Sequence, residues 1–164
     1  MQAYDYLVSK GVTAFCPMRK VARMVRGSIR FVMRPLLPNM FFAFGTEDEM
    51  KAYVYDNVNL PFLRFYYRRC YGDTSVSKVP LTVPRRQIET FMIICNADAG
   101  DTFVSADNIH LFETGEQVRV TQGKFAGVTG RVARFKGHKR VGIYIDGVAT
   151  VATAYIPGAY LEKI

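Results

Sequence analysis

The stretch that decides the fold reads GEQVRVTQGKFAGVTGRV and occupies positions 115–132. Valine alternates with polar residues at both of its ends, which is the two-residue period of a strand with one buried face. The turn between the two strands contains Gly123 and Gly127, and Gly130 lies in the second strand. We expect these glycines where the backbone needs a positive φ or closely approaches another strand. The pattern predicts a strand, a glycine-rich turn and a second strand.

Alternation of the same kind continues toward the C-terminal end. Every second residue from Val141 to Ile145 is β-branched. Turn-forming residues flank this strand at positions 136–138 and 146–147. Positions 115–164 are too few for an open sandwich, so the pattern predicts a small all-β barrel there.

The residues before position 97 mix helical and strand periods. Gly11 is placed to end a helix formed by the first residues of the chain. Thr46 and Glu49 have the spacing of a capping box, which predicts a helix running to about Tyr55. Pro84 stands in the first turn of a third predicted helix. The apolar stripe of that helix is expected to comprise Ile88, Phe91, Met92 and Cys95.

Strands and connections complete this first region. The predicted strands are Val12–Met18, Ile29–Met33, Asn39–Phe44 and Leu63–Tyr67. The basic segment 19–30 is broken by Gly27 and Ser28 and is expected to be a long hairpin loop. Small polar residues begin a linker at about Asn96. The sequence therefore predicts an α+β chain, with one domain over 1–97, a linker over 98–114 and the barrel over 115–164.

Positive charge is concentrated at the two ends of the chain. The 164 residues carry a net charge of +8. Residues 1–45 contain seven basic and one acidic residue, and residues 113–164 contain eight basic and four acidic. The intervening residues 46–112 contain seven basic and nine acidic. Two basic segments favour proximity to a polyanion, of which nucleic acid is the commonest.

The cysteines and histidines do not form a recognisable metal or disulfide pattern. Cys16, Cys70 and Cys95 are odd in number and lack CxxC spacing. His110 and His138 have no histidine partner at the spacing of metal ligands. We therefore expect no metal site and no cofactor.

Signatures of catalysis are also absent from the sequence. It contains neither a nucleophile elbow nor an HExxH motif, and Asp98 and Asp101 lie in the predicted linker. Gly123 and Lys124 do not form a phosphate-binding loop, because Phe125 and then a strand follow them. The chain is expected not to be an enzyme.

The chain is expected to be cytoplasmic. No uncharged apolar run approaches the roughly 20 residues needed to span a bilayer. The first ten residues contain polar and acidic groups and do not resemble a secretory signal. We therefore expect no membrane association.

The glycine-rich stretch 115–132 resembles the KOW motif of transcription and ribosomal proteins. The residues from Asp146 to Lys163 resemble the closing strands of the NusG C-terminal domain, an SH3-like barrel. This resemblance implies that the barrel binds a ribosomal protein or a termination factor. The candidate partner-binding residues are Gly123, Lys124, Phe125, Gly127 and Arg131. Phe125 either plugs one end of the barrel or stands exposed as a contact, and Lys124 replaces the proline usual in the family.

The segment PLLPNMFFAF at positions 35–44 resembles the PLFPxYxF segment of the NusG N-terminal (NGN) domain. As in that family, a Gly-Val-x-x-Phe-x-Pro run precedes it, here at positions 11–17. The resemblance implies a ferredoxin-like domain, an antiparallel sheet with flanking helices. In the family this segment grips the clamp helices of the largest RNA polymerase subunit. The contact candidates are therefore Leu37, Pro38, Asn39, Met40 and Phe42, with plain core packing as an equally weighted alternative. Met40 replaces the usual aromatic residue.

A basic run follows the first predicted strand of this region. It comprises Arg19, Lys20, Arg23, Arg26 and Arg30. Such residues contact phosphates and make binding salt-dependent, so non-template DNA or nascent RNA is the expected ligand. A solvated hairpin tip is the equally weighted alternative. The same two interpretations apply to the basic residues of the barrel, which are Arg131, Arg134, Lys136, Lys139 and Arg140.

Together the two resemblances imply a NusG-type transcription elongation factor that binds RNA polymerase and suppresses pausing or termination. The run Val151–Pro157 looks most like the UpxY group of specialised capsular polysaccharide antiterminators. A housekeeping NusG-like factor and a ribosome-associated KOW RNA-binding protein are the alternatives.

One departure from the family pattern concerns its opening strand. The family has a strand, usually with tryptophan, before the first helix, whereas this sequence starts inside that helix and contains no tryptophan. Loss of a central strand leaves two backbone edges unpaired. We expect either that the start is misassigned or that a second copy fills the gap, giving a monomer or a strand-swapped dimer respectively.

Overall fold

The structure is a computed structural model that describes residues 2–71, 75–97, 103–105, 115–135, 137–145 and 147–164. The helices are α1 (Gln2–Ser9), α2 (Glu47–Tyr55) and α3 (Arg85–Asn96). The strands are β1 (Ala14–Phe15), β2 (Met18–Val25), β3 (Ser28–Pro35), β4 (Phe42–Ala43), β5 (Tyr67–Tyr71), β6 (Val76–Pro80), β7 (Phe103–Ser105), β8 (Gln117–Val120), β9 (Thr129–Phe135), β10 (His138–Ile145), β11 (Ala149–Ala152) and β12 (Leu161–Lys163). The predicted α+β class is confirmed.

The chain divides into two units that differ from the predicted domains. The first unit comprises residues 1–18 and 35–81, and the second comprises residues 19–34 and 82–164. Helix α3 thus belongs to the unit that contains the C-terminal strands. The domain boundaries inferred from the sequence stay a prediction.

Local signals in the first unit define its two helices. Helix α1 ends in a Schellman motif: Val12 N donates to Leu7 O (3.1 Å), Gly11 N donates to Val8 O (2.9 Å), and Gly11 has a φ of 82°. At the start of α2, Thr46 Oγ1 accepts from Glu49 N, and Glu49 Oε2 accepts from Thr46 N (2.8 Å). Both predicted helix signals are confirmed.

Of the four strands predicted within residues 1–97, Ile29–Met33 is confirmed inside β3, and the other three are shorter or displaced. The expected strands at 12–18 and 39–44 contribute only β1 and β4 here, which pair antiparallel with Phe15 opposite Phe42. The expected strand at 63–67 is wrong, because Leu63 N donates to Leu60 O in a turn and β5 begins only at Tyr67. Strands β1–β4, β2–β3 and β5–β6 form three separate two-stranded sheets.

A six-stranded antiparallel sheet forms most of the second unit. Its strand order is β12-β8-β9-β10-β11-β7. The predicted alternation is confirmed, since Val118 and Val120 are buried while Gln117 and Arg119 are exposed. The other buried side chains of this core include Val128, Val141, Ile143, Ile145, Val151 and Ile156.

The glycines of the 115–132 stretch behave as expected. Gly123 and Gly127 have φ values of 80° and 90°. Gly130 lies against β10, where an added Cβ would collide with the carbonyl oxygen of Gly142. Positive φ explains the first two glycines, and close approach explains the third.

Helix α3 packs against β10, and its buried side differs from the predicted stripe. Phe91 is fully buried as expected, but Met92 is 38% exposed, and Thr90 and Ile94 are buried instead. The helix is therefore rotated relative to the stripe that includes Met92. Most of the predicted linker falls on residues 98–102 and 106–114, outside the described part, but Phe103–Ser105 forms β7 and pairs with β11.

Substitution of Gly130 by alanine tests the close approach of β9 and β10. We expect Gly130→Ala to lower the free energy of unfolding by about 2–3 kcal/mol, because the collision is with backbone rather than with a flexible side chain. Gly158→Ala is the control, since its Cβ would meet only Lys139 Nζ at 3.5 Å. Urea unfolding followed by circular dichroism measures both; equal stability of the two variants would contradict the packing described.

Candidate nucleic-acid interface

Strands β2 and β3 form a ribbon in place of the predicted loop. Arg26 and Gly27 connect them and have φ values of 49° and 78°, as in the type I′ turn of two-residue hairpins. The loop interpretation of residues 19–30 was therefore wrong. It failed because this turn normally carries Asn-Gly, and arginine at its first position gives no such signal.

The two faces of the ribbon differ in chemistry because side chains alternate along each strand. One face carries the exposed side chains of Arg19, Arg23, Arg30 and Arg34, which alternate with the half-buried Val21, Val25 and Val32. Arg26 lies at the tip. None of these arginines forms an ion pair with a carboxylate among the described residues. We call these five arginines the basic face.

The opposite face of the ribbon is apolar. Met24, Ile29, Phe31 and Met33 are between 59% and 66% exposed. Lys20 lies on this side, with its Nζ 5.2 Å from the centroid of the Phe31 ring. Of the five predicted nucleic-acid residues, Arg19, Arg23, Arg26 and Arg30 thus belong to the basic face and Lys20 does not. Sequence reasoning missed Arg34 and the apolar face, although the alternation of residues 29–34 carries that signal.

The five polymerase-contact candidates of the segment 35–44 differ in exposure. Leu37 is 8% exposed, so its side chain is part of the core of the first unit. Pro38 and Asn39 are exposed, and Asn39 has a φ of 55°. Met40 and Phe42 are half-buried, and the Phe42 ring stacks on Phe15 with centroids 6.2 Å apart. Among the five candidates, the accessible surface is thus supplied by Pro38 and Asn39, with parts of Met40 and Phe42.

The five partner-binding candidates of the stretch 115–132 differ in burial and in role. Phe125 is 4% exposed, which favours the plug over the contact interpretation. Lys124 is exposed, and its Nζ lies 5.6 Å from the centroid of the Phe125 ring. Arg131 is exposed on β9, and its Nη1 donates to Gly115 O (3.1 Å). Gly123 and Gly127 contribute turn geometry.

The other basic residues of this region also separate by burial. Arg140 is buried and donates from Nη1 to Thr153 O (3.0 Å), so it is a structural cation. Arg134 and Lys139 are exposed, and Lys136 lies outside the described residues.

The described residues include no cluster of three metal-ligating side chains. Burial raises the pKa of the Cys95 thiol to about 12, which disfavours the thiolate needed for metal binding or nucleophilic attack. Over the same described residues, each helix is too short or too polar to cross a bilayer. No protein-family model matches the sequence, and no curated protein matches it.

Truncation of Leu37 tests whether this residue is core or contact surface. We expect Leu37→Ala to lower the free energy of unfolding by about 2–3 kcal/mol, because a buried leucine leaves a cavity. Pro38→Ala is the neighbouring control and should cost less than about 1 kcal/mol. Urea denaturation of both variants makes the comparison. If Leu37→Ala is as stable as the unmodified chain, the burial described for Leu37 is wrong.

Proposed function

We propose that this chain is a NusG-type transcription antitermination or elongation factor. Its first region is proposed to be an NGN-like domain that binds the clamp helices of RNA polymerase. The ribbon is proposed to contact nucleic acid at the polymerase, and the C-terminal strands are proposed to form a KOW-type, SH3-like barrel that recruits a further protein. No catalytic role is included.

The basic face is the observation that carries this proposal. Five arginines on one ribbon lack described carboxylate partners, so their charge is available to phosphates. Arginine binds phosphate oxygens in a bidentate manner, and a two-stranded ribbon is narrow enough to follow a nucleic-acid groove. Asparagine and glutamine, which read adenine, are absent from the face, whereas arginine contacts either phosphate oxygens or the edge of guanine.

The segment 35–44 supports the polymerase part of the proposal. Pro38 and Asn39 are exposed, and Asn39 adopts a left-handed conformation in the turn before β4. Met40 presents a flexible, polarisable side chain beside them, of a kind that adapts to apolar partner surfaces. A helical coiled coil is a fitting partner for such a patch.

The sequence resemblance also directs the proposal to a class of targets. The run at 151–157 favours a specialised antiterminator of capsular polysaccharide operons over a housekeeping factor. The barrel partner is proposed to be a ribosomal protein or termination factor, with Lys124 and Arg131 as the exposed candidates.

A ribosome-associated RNA-binding protein is the second candidate. The unequal exposure of the polymerase patch favours it, because Leu37 is buried and Phe42 stacks on Phe15. An RNA binder requires the basic face alone.

Binding to core RNA polymerase separates the two candidates. We expect the full chain to bind, and we expect Met40→Ser to weaken binding about tenfold by removing apolar contact. Met92→Ser is the control, because Met92 is a partly exposed methionine on α3. Interferometry with immobilised polymerase measures the affinities. If the folded chain binds RNA but not polymerase, the antitermination proposal is wrong and the ribosome-associated candidate replaces it.

The salt dependence of nucleic-acid binding tests the basic face. We expect the double variant Arg23→Gln, Arg30→Gln to reduce the slope of log K against log salt by about 1.4 for single strands and about 1.8 for duplex DNA. The matched control is Arg68→Gln, Arg69→Gln, which removes the same charge from exposed positions on β5. Fluorescence anisotropy over a salt series gives the slopes. Equal slope changes in both double variants would indicate non-specific charge and remove the basic face from the interface.

A further inference from the structure

A cleft of about 800 Å³ lies within the second unit, between the first turns of α3 and the sheet. The helix contributes Pro84, Arg86, Gln87 and Thr90 to its wall. The sheet contributes Thr129, Arg131, Tyr144 and Thr150, all from the face opposite the valine core. Thr129 and Arg131 alternate with Gly130, which pairs with the buried Val118, and Tyr144 pairs with Thr150 across β10 and β11. Cavities of this size hold ligands as large as a nucleotide.

The charged side chains that line the cleft are basic. Arg86 and Arg131 line it, and none of its lining residues is acidic. The N-terminus of α3 adds to this charge, because its first turn contains no acidic residue and Pro84 makes no side-chain cap. Arg86 reaches only as far as Thr129 Oγ1, at 3.5 Å. Such a long contact leaves the guanidinium able to turn to a stronger acceptor.

A buried hydroxyl on the sheet side gives an independent indication of a ligand. Thr150 lines the cleft, is 3% exposed, and its Oγ1 has no hydrogen-bond partner among the described residues. A buried polar atom without a partner costs free energy that a hydrogen-bonding ligand recovers. A polar ligand in the cleft supplies the missing partner.

An aromatic ring stands beside the polar groups. Tyr144 lines the cleft and is 48% exposed. Its hydroxyl accepts from Gly147 N at 3.3 Å, which restrains the orientation of the ring. An exposed and restrained tyrosine ring offers a stacking surface for a nucleobase.

We propose that this cleft binds a phosphorylated nucleoside. The phosphate lies between Arg86 and Arg131 at the start of α3, a polar group of the ligand satisfies Thr150, and the base stacks on Tyr144. The ligand is either a free nucleotide or one nucleotide of a single-stranded RNA, since both present the same chemistry. This site is separate from the basic face, so the Arg23→Gln, Arg30→Gln variant should retain it.

Binding is measured on the full chain by amide NMR shifts during titration with ADP, UDP, inorganic pyrophosphate and a uridine hexanucleotide. We expect Arg86→Gln to weaken the binding of the nucleoside diphosphates, or of the hexanucleotide, about tenfold. Arg85→Gln is the matched control. Arg85 is the preceding residue of the same helix, but its Nε pairs with Glu89 Oε1 (2.7 Å) and it does not line the cleft.

Two further variants separate the parts of the site. Tyr144→Leu should weaken nucleotide binding and leave pyrophosphate binding unchanged, because only the nucleotide has a base to stack. Thr150→Val, which preserves side-chain volume, should weaken nucleotide binding while leaving the fold intact by circular dichroism. Binding by mononucleotides identifies a free ligand, and binding by the hexanucleotide alone identifies RNA. The proposal is overturned if neither binds at millimolar concentration, or if Arg85→Gln and Arg86→Gln weaken binding equally.

Discussion

The second unit depends on the close contact between the backbones of β9 and β10. Gly130 permits this contact, because a Cβ there would strike the carbonyl of Gly142. Strand β10 then pairs with β9 on one side and β11 on the other, and Val141 and Ile145 become fully inaccessible. Helix α3 packs on this same strand. The absence of a side chain at Gly130 is thus required for the register of the sheet, the burial of its valine core and the packing of α3.

Sequence patterns predicted those elements that combine a strong local signal with burial on one side. The valine alternation, the capping box at Thr46 and the terminating Gly11 are of this kind. Strand β3 was predicted in part, but β2 and the pairing of the ribbon were missed, because most of their side chains are exposed and the turn carries arginine where the usual signal is asparagine. Strand β5 was misplaced for a related reason, since its residues are mostly exposed and leave no apolar alternation to read.

Burial decides which residues of the candidate sites are accessible to a partner. Sequence patterns select candidate residues, but they do not show which candidate side chains are accessible to a partner. Leu37 and Phe125 are buried, whereas Met40 is half-buried and Lys124 is exposed. The cleft could not be predicted from the sequence, because Arg86 and Arg131 are distant in sequence and line the same cleft only through the packing of α3 on the sheet. Tertiary packing therefore determines which charges gather at one place.

The ribbon also has a consequence for the solution behaviour of the chain. Strands β2 and β3 pair only with each other among the described residues, so each has an edge with unpaired backbone groups next to exposed methionine, isoleucine and phenylalanine side chains. Edges of this composition promote aggregation by pairing with other copies. Arginines along both strands oppose that pairing by like-charge repulsion, and dissolved salt weakens the repulsion. The arginines thus contribute to colloidal solubility.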